Sequence, residues 1–206
     1  GSLIERAQGA GFRVIVLDSM RRSIHPWRDW RSYRELLAVL RDLKPDIVHT
    51  HSSKAGIVGR YAAAKLKLPA VHTIHGAAFH FGQHPLLFRL YRFLEKRAAR
   101  WCDHFISVCD ALTDQYVQAG VGSRENFTTV YSGMDVEPFL NPPRSREEVR
   151  KELGLAEDHV AIAKVARLFN LKGHEYLIEA AAPVAIRHPN VRFVLIGDGI
   201  LREQLQ

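Results

Sequence analysis

Two sets of side chains in this sequence are of types and spacings that can do chemistry. The first is a run of histidines, six of the chain's eleven, between His49 and His84. Four of them lie in Asp46-Ile47-Val48-His49-Thr50-His51-Ser52-Ser53-Lys54 and Ala70-Val71-His72-Thr73-Ile74-His75-Gly76-Ala77. Each segment is a short β-rich run that gives way to small, polar or glycine residues. Open α/β sheets bind ligands beyond the carboxyl ends of their strands. Imidazoles gathered at two successive ends of that kind therefore read as the floor of a site. The plainer alternative for any one of them is a partly buried histidine with no ligand. The second set is cationic. Arg167 and Lys172 stand five residues apart in Ala163-Lys164-Val165-Ala166-Arg167-Leu168-Phe169-Asn170-Leu171-Lys172-Gly173, after a strand and before a helix. Free N–H groups and the macrodipole at a helix start favour an anion. A guanidinium and an ammonium there would clamp a diphosphate, each charge contributing about 4 kcal/mol at about 4 Å and an effective dielectric near 20, before desolvation. Two solvated surface cations are the plain alternative.

The elements that must position these groups alternate regularly. Strands are predicted over residues 13–17, 46–50, 70–74, 104–108, 127–131, 160–165 and 192–196. Helices are predicted over 30–43, 54–66, 86–100, 111–119, 146–153, 175–187 and 200–206. Apolar strands separated by helices imply a parallel sheet covered on both faces, the doubly wound α/β pattern. Asn141-Pro142-Pro143-Arg144-Ser145-Arg146 reads as a linker, giving domains 1–141 and 142–206. Residues 3–7 look like the tail of a helix that stops at Gly9 and Gly11, and the last helix has barely begun. The chain therefore reads as a fragment cut at both ends, with a preceding strand and loop missing. Two glycine segments are weaker signals. Gly133, in Ser132-Gly133-Met134-Asp135, is expected to supply a positive-φ turn into the linker. Gly197, in Val194-Leu195-Ile196-Gly197-Asp198-Gly199, would let backbone approach a ligand closely. Arg202 stands where a dinucleotide fingerprint would need its third glycine, so a plain turn is the alternative there.

Composition bounds the classes. The 206 residues are 47% hydrophobic and 25% charged, which is ordinary for a globular protein large enough to bury a core. No stretch approaches the roughly 20 apolar residues of a membrane span, and the N-terminus shows no basic-then-apolar leader pattern. Cys102 and Cys109 lack metal or redox spacing, so a reducing cytoplasm is the expected location. The net charge of +7 suits a nucleic acid, an anionic membrane surface or a phosphorylated ligand, without choosing among them.

Taken together the segments resemble the family-4 retaining glycosyltransferases of the GT-B fold, which transfer a sugar from a nucleotide-sugar donor. The resemblance runs over nearly the whole chain. It is carried by Pro45 through His51, His72 through Gly76, Ser132 through Asp135, Ala166-Arg167-Leu168 through Lys172-Gly173, and Gly197-Asp198-Gly199. It implies two Rossmann-like domains, the first binding acceptor and the second, only begun here, binding donor. It places Arg167 and Lys172 on the donor diphosphate, His75 beside the transferred sugar as the catalytic histidine, and His51 and Ser52 on the acceptor side. Gly133 and Gly197 are expected to line the cleft. The donor would be UDP- or GDP-linked and the acceptor a glycan or a lipid-linked sugar, with no cofactor and no essential metal. Cell-surface polysaccharide or glycolipid synthesis is the expected setting. The family's glycine-rich loop would precede residue 1, its paired glutamates would follow Gln206, and Ala166 replaces a frequent glycine. The piece by itself is therefore expected to turn over poorly.

Residues 86–101 project as an amphipathic helix. Leu87, Leu90, Tyr91, Leu94, Ala98 and Trp101 form an expected core stripe. Arg89, Arg92, Lys96, Arg97 and Arg100 form the other face, with Leu86 and Phe93 among them. Basic residues interleaved with apolar ones suit an anionic bilayer surface, which would put the protein peripherally on the inner face of the membrane. A solvated helix face is the alternative. Three rival functions remain open. A non-catalytic nucleotide-sugar-binding module would use the same fold. A basic nucleic-acid-binding protein would use Trp27, Arg28, Trp30, Arg31 and Arg34, but no nucleic-acid motif is present and no nucleic-acid partner is expected. A metal hydrolase would need His72, His75, His80 and His84, whose spacings match no zinc motif and lack acidic partners.

Overall fold

The computed structural model describes residues 2–21, 23–80, 82–170 and 172–205. Gln206, the end of the predicted last helix, and Leu171, inside the cationic segment, lie outside the described residues. The chain divides into two compact units, Gly1–Gly133 and Met134–Gln206.

The first unit is built on a parallel sheet in the order β1-β2-β3-β4: Val48–His51, Ala70–Ile74, His104–Ser107 and Phe127–Thr129. Helices α1 (Ser2–Gly9) and α2 (Pro26–Leu43) precede the sheet. Helices α3 (Ser53–Lys65), α4 (Pro85–Ala99) and α5 (Asp110–Gln118) connect its strands. Helix α2 starts at Pro26 rather than at residue 30. Proline at the first helical position has no N–H to leave unpaired. The ring of His25 accepts from the Arg28 amide while the Asp29 carboxylate accepts from the His25 amide, so the start is capped from both sides. Residues 13–17, predicted as a strand, pair with no strand among the described residues. Their apolar run has the right composition, but Ile15 and Val16 are exposed, and composition without a ladder partner does not make a strand.

The side of the sheet carrying Val48, Thr50, Ala70 and His72 is tightly packed by α3. Gly56 and Gly59 allow this approach: a Cβ on Gly56 would lie 2.4 Å from the His72 ring, and one on Gly59 2.7 Å from the Thr50 methyl. Inside the same layer Arg60 and Glu95 form a fully buried ion pair, Nη2 to Oε2, at 2.9 Å. The expected core stripe of α4 is met in part: Ala98 is buried, Tyr91 packs on the apolar cluster around Phe79 and Phe105, and Leu94 and Trp101 are half-buried, whereas Leu87 and Leu90 are 45% and 46% exposed and Phe88 and Glu95 turn inward. A buried arginine on α3 supplies the counter-charge that lets the glutamate point inward.

In the second unit, β5 (Val160–Val165) and β6 (Val191–Ile196) are parallel. Helices α6 (Glu137–Leu140) and α7 (Arg146–Glu152) come before them, and α8 (His174–Arg187) and α9 (Arg202–Leu205) follow β5 and β6 respectively. A capping box, Ser145 with Glu148, starts α7. The units divide at Gly133–Met134, before the Asn141-Pro142 segment where the linker was expected. Gly133 does not adopt the positive φ expected of it, and a Cβ there would meet nothing within 4 Å.

Candidate functional site

In the first unit the pleat of β1 buries Val48 and Thr50 and leaves His49 and His51 on the opposite face. The parallel register sets His51 beside Thr73 of β2, and His75 follows two positions along on the same face. His51 Nδ1 then lies 3.0 Å from His75 Nε2, with the rings stacked at a centroid distance of 5.3 Å. His49 packs on the other side of His51 at 4.4 Å, and its own Nε2 is 2.7 Å from Thr73 Oγ1. Burial and the neighbouring His49 and His75 rings push the His51 pKa down. The fourth histidine of the two segments does something different. His72 is buried against α3 with Nδ1 2.8 Å from Thr50 Oγ1. Desolvation, with the Arg60 cation next, holds its pKa down at about 3. It is a neutral core residue, not part of an open site.

Ser52 ends β1 with a φ of 61°, an unusual conformation for a non-glycine residue. It turns the chain directly into α3 and lines a cavity of about 720 Å³ with Ile24, Ile57, Val58, Tyr91 and Glu95. Lys54, one residue into α3, also lines this cavity, ion-paired with Asp29 and bonded to the Arg21 and Ser23 carbonyls. On α4 a second depression of about 680 Å³ is lined by Arg89, Arg92, Phe93, Lys96, Arg97 and Arg100. Arg92 also donates to the Ala119 carbonyl.

In the second unit Arg167 and Lys172 occupy the loop from β5 to α8, and both are exposed. Neither is paired with a carboxylate among the described residues. The Arg167 guanidinium lies over the Phe169 ring at 5.2 Å. Its backbone carbonyl accepts from Nε2 of the buried His174, at 3.0 Å. Gly173 caps α8 in the left-handed region with no side-chain bond to the helix amides. Gly197 and Gly199 press against this loop: Cβ atoms there would lie 2.0 Å from the Ala166 oxygen and 2.3 Å from the Leu168 oxygen. The reason for glycine at both positions is close backbone contact. The Leu168 amide donates to the Asp198 carbonyl, and the Leu201 amide donates to the Leu168 carbonyl, so the two strand-end loops are tied together.

Three residues went unread in the sequence. Lys164 donates to the carbonyls of Lys172 and Gly173, at 2.7 and 2.8 Å. A lysine inside the otherwise apolar run 160–165 was the available signal. His174 carried none, because a histidine at the start of a helix reads as exposed. Thr73 looked like an ordinary strand residue. Among the described residues no group of three or more histidine, cysteine or acidic side chains is placed to hold a metal, and no helix is long and apolar enough to cross a membrane.

Comparison with known proteins adds to this geometry. Residues 3–133 match the family model described as Glycosyl transferase 4-like domain, and residues 145–206 match the one described as Glycosyl transferases group 1. The chain is 31% identical over 197 residues to UDP-Gal:alpha-D-GlcNAc-diphosphoundecaprenol alpha-1,3-galactosyltransferase of Escherichia coli, covering 94% of this chain and 51% of that protein. It is 27% identical over 214 residues to alpha-monoglucosyldiacylglycerol synthase of Acholeplasma laidlawii, covering 97% of this chain and 49% of that protein. The crystal structure of Anabaena HepE in complex with UDP-glucose superposes with a TM-score of 0.72 at 22% identity, over 99% of this chain and 52% of that one. That likeness establishes the GT-B fold class. The chain spans about half the length of the relatives it matches.

Proposed function

The chain belongs to the glycosyl transferase 4-like family, and from that membership we propose that the protein transfers a hexose from a UDP- or GDP-linked donor to a lipid-linked or glycan acceptor with retention of configuration. The observation that carries the reading is the β5–α8 loop. It combines two cations free of carboxylates, a helix start with open amides, and two glycines packed against its backbone. A diphosphate fits that chemistry, and HepE, of similar fold, has been crystallised with UDP-glucose. Arg167 and Lys172 meet the charge that grows on the departing nucleotide as the bond from sugar carbon to phosphate oxygen breaks. This is stabilisation by groups already in place, and it calls for no essential metal. The acceptor hydroxyl attacks on the face the nucleotide leaves, and its proton passes to the departing phosphate oxygen. His75 orients the sugar and shares charge.

Two relatives bear on the acceptor: one is named for a diphosphoundecaprenol-linked sugar as its acceptor and the other for a glucosyldiacylglycerol, a glycolipid, as its product. An acceptor of that kind accords with peripheral binding to the inner membrane face through α4, where Leu86, Leu87, Leu90 and Phe93 are exposed among the arginines. Cell-envelope synthesis is the corresponding setting. Titration calorimetry of UDP and GDP into the full-length protein tests the donor assignment. Arg167→Ala and Lys172→Ala should each cost about 2–4 kcal/mol in transition-state stabilisation, the scale of losing one oxyanion donor. A calorimetric blank with both nucleotides, or near-normal kcat/KM in both variants, would overturn it. Co-sedimentation with vesicles tests the membrane surface, and equal binding to neutral and anionic lipid would remove it.

A further inference from the structure

We infer that His51 is a positioning residue for His75, the two neutral imidazoles forming one hydrogen-bonded unit whose exposed ends present opposite polarity. The inference rests on the reading of His75 as the residue beside the transferred sugar.

The geometry is specific about atoms: the contact joins Nδ1 of His51 to Nε2 of His75, at 3.0 Å. A neutral imidazole carries one N–H and one lone pair. A hydrogen bond between two such rings therefore holds one hydrogen between them and leaves two arrangements. In the first, His51 Nδ1–H donates, His75 keeps its hydrogen on Nδ1, and His51 Nε2 is a bare acceptor. In the second, His75 Nε2–H donates, His75 Nδ1 is bare, and His51 Nε2 carries the hydrogen. A donor-sugar oxygen that accepts from His75 Nδ1 selects the first arrangement. It thereby leaves His51 Nε2 ready to accept from a hydroxyl on the acceptor side. Occupation of one end sets the hydrogen-bonding character of the other.

Several contacts hold the pair in place. His49 packs against the His51 ring at a centroid distance of 4.4 Å, tilted by 37°, and is tied to Thr73. Ser52, immediately after, adopts a conformation of the kind that clusters at functional sites. The groups beside the pair are His49 on β1 and the neutral Thr73 on β2. His72 is buried on the opposite face. No carboxylate is paired with either ring among the described residues.

The test is nitrogen-15 NMR of the imidazoles in the full chain, with His51→Leu and His51→Asn, an amide that places a nitrogen near the Nδ1 position. In the wild type a nitrogen–nitrogen coupling across the bond is expected near neutral pH. His51→Leu should abolish that coupling and move the His75 nitrogen shifts toward those of an imidazole without a ring partner, and His51→Asn should move them back toward the wild-type values. Unchanged His75 nitrogen shifts in His51→Leu overturn the inference. These spectra need neither donor nor turnover, so their outcome is independent of whether the glycosyltransferase reading holds. In the full-length enzyme His51→Leu should lower kcat on the order of tenfold, the equivalent of one neutral hydrogen bond, with donor KM little changed. His51→Asn should recover part of the loss, and equal loss in both variants also overturns it.

Discussion

Breaking the Arg60–Glu95 pair should destabilise the first unit more than removing both of its charges. The two side chains are 0% and 1% exposed, 2.9 Å apart. At that distance and an effective dielectric near 20 their attraction is about 6 kcal/mol. Several kcal/mol of desolvation per ion oppose it, so the intact pair contributes little net stability. Glu95→Ala removes the attraction and leaves the guanidinium buried, with only the Gly56 carbonyl and the face of Phe105 beside it. The expected cost is about 3–5 kcal/mol, a large share of the roughly 5–15 kcal/mol that holds a domain folded. Arg60→Met with Glu95→Leu removes both ions and should lose clearly less than Glu95→Ala alone. Urea unfolding followed by tryptophan fluorescence measures this cleanly, because Trp27, Trp30 and Trp101 all belong to the first unit, and Trp101 lies 4.8 Å from Tyr61, the neighbour of Arg60. A double variant at least as unstable as Glu95→Ala, or a loss below about 1 kcal/mol in Glu95→Ala, would refute the reasoning from desolvation.

Three further outcomes are expected. The pKa of His72 is held at about 3 in the fold against an ordinary 6.5, so the unfolded chain takes up the proton first as pH falls. Stability of the first unit should therefore drop by about 1.4 kcal/mol per pH unit between those two values. His72→Gln should flatten that part of the urea midpoint profile. Gly56→Ala drives a methyl into the His72 ring and should cost about 1–3 kcal/mol as overpacking, read from the same unfolding curves. Gly197→Ala collides with the Ala166 carbonyl. Calorimetry should show weakened UDP binding while the tryptophan-monitored midpoint stays at the wild-type value.

Much of the architecture was legible because hydropathy runs and breakers are local. Residues 70–74 and 160–165 are strands with the bounds expected of them, and α3, α4, α5, α7 and α8 begin and end within a residue or so of expectation. What escaped depends on partners remote in the chain. Residues 13–17 have a strand's composition and no ladder. Glu95 is apolar in no scale, yet it faces inward because Arg60, on another helix, neutralises it. The site divides the same way. Residue type and position at strand ends singled out His49, His51, His72 and His75 as a group, and Arg167 with Lys172, while the choice of His51 and His75 among the four histidines came from the family resemblance. The link between His51 and His75 could not be read there, since it follows from the β1–β2 register. Lys164 was hidden because its targets are backbone oxygens.

Lys164 has a consequence of its own. Its ammonium draws the carbonyls of Lys172 and Gly173 toward the strand. Because a trans peptide sets C=O and N–H in opposite directions, the amides of Gly173 and His174 are turned outward, away from the lysine. On the proposed reading, the hydrogen atoms a phosphate would meet are thus aimed before any nucleotide arrives, and the entropy of ordering that turn would be spent in folding rather than in binding.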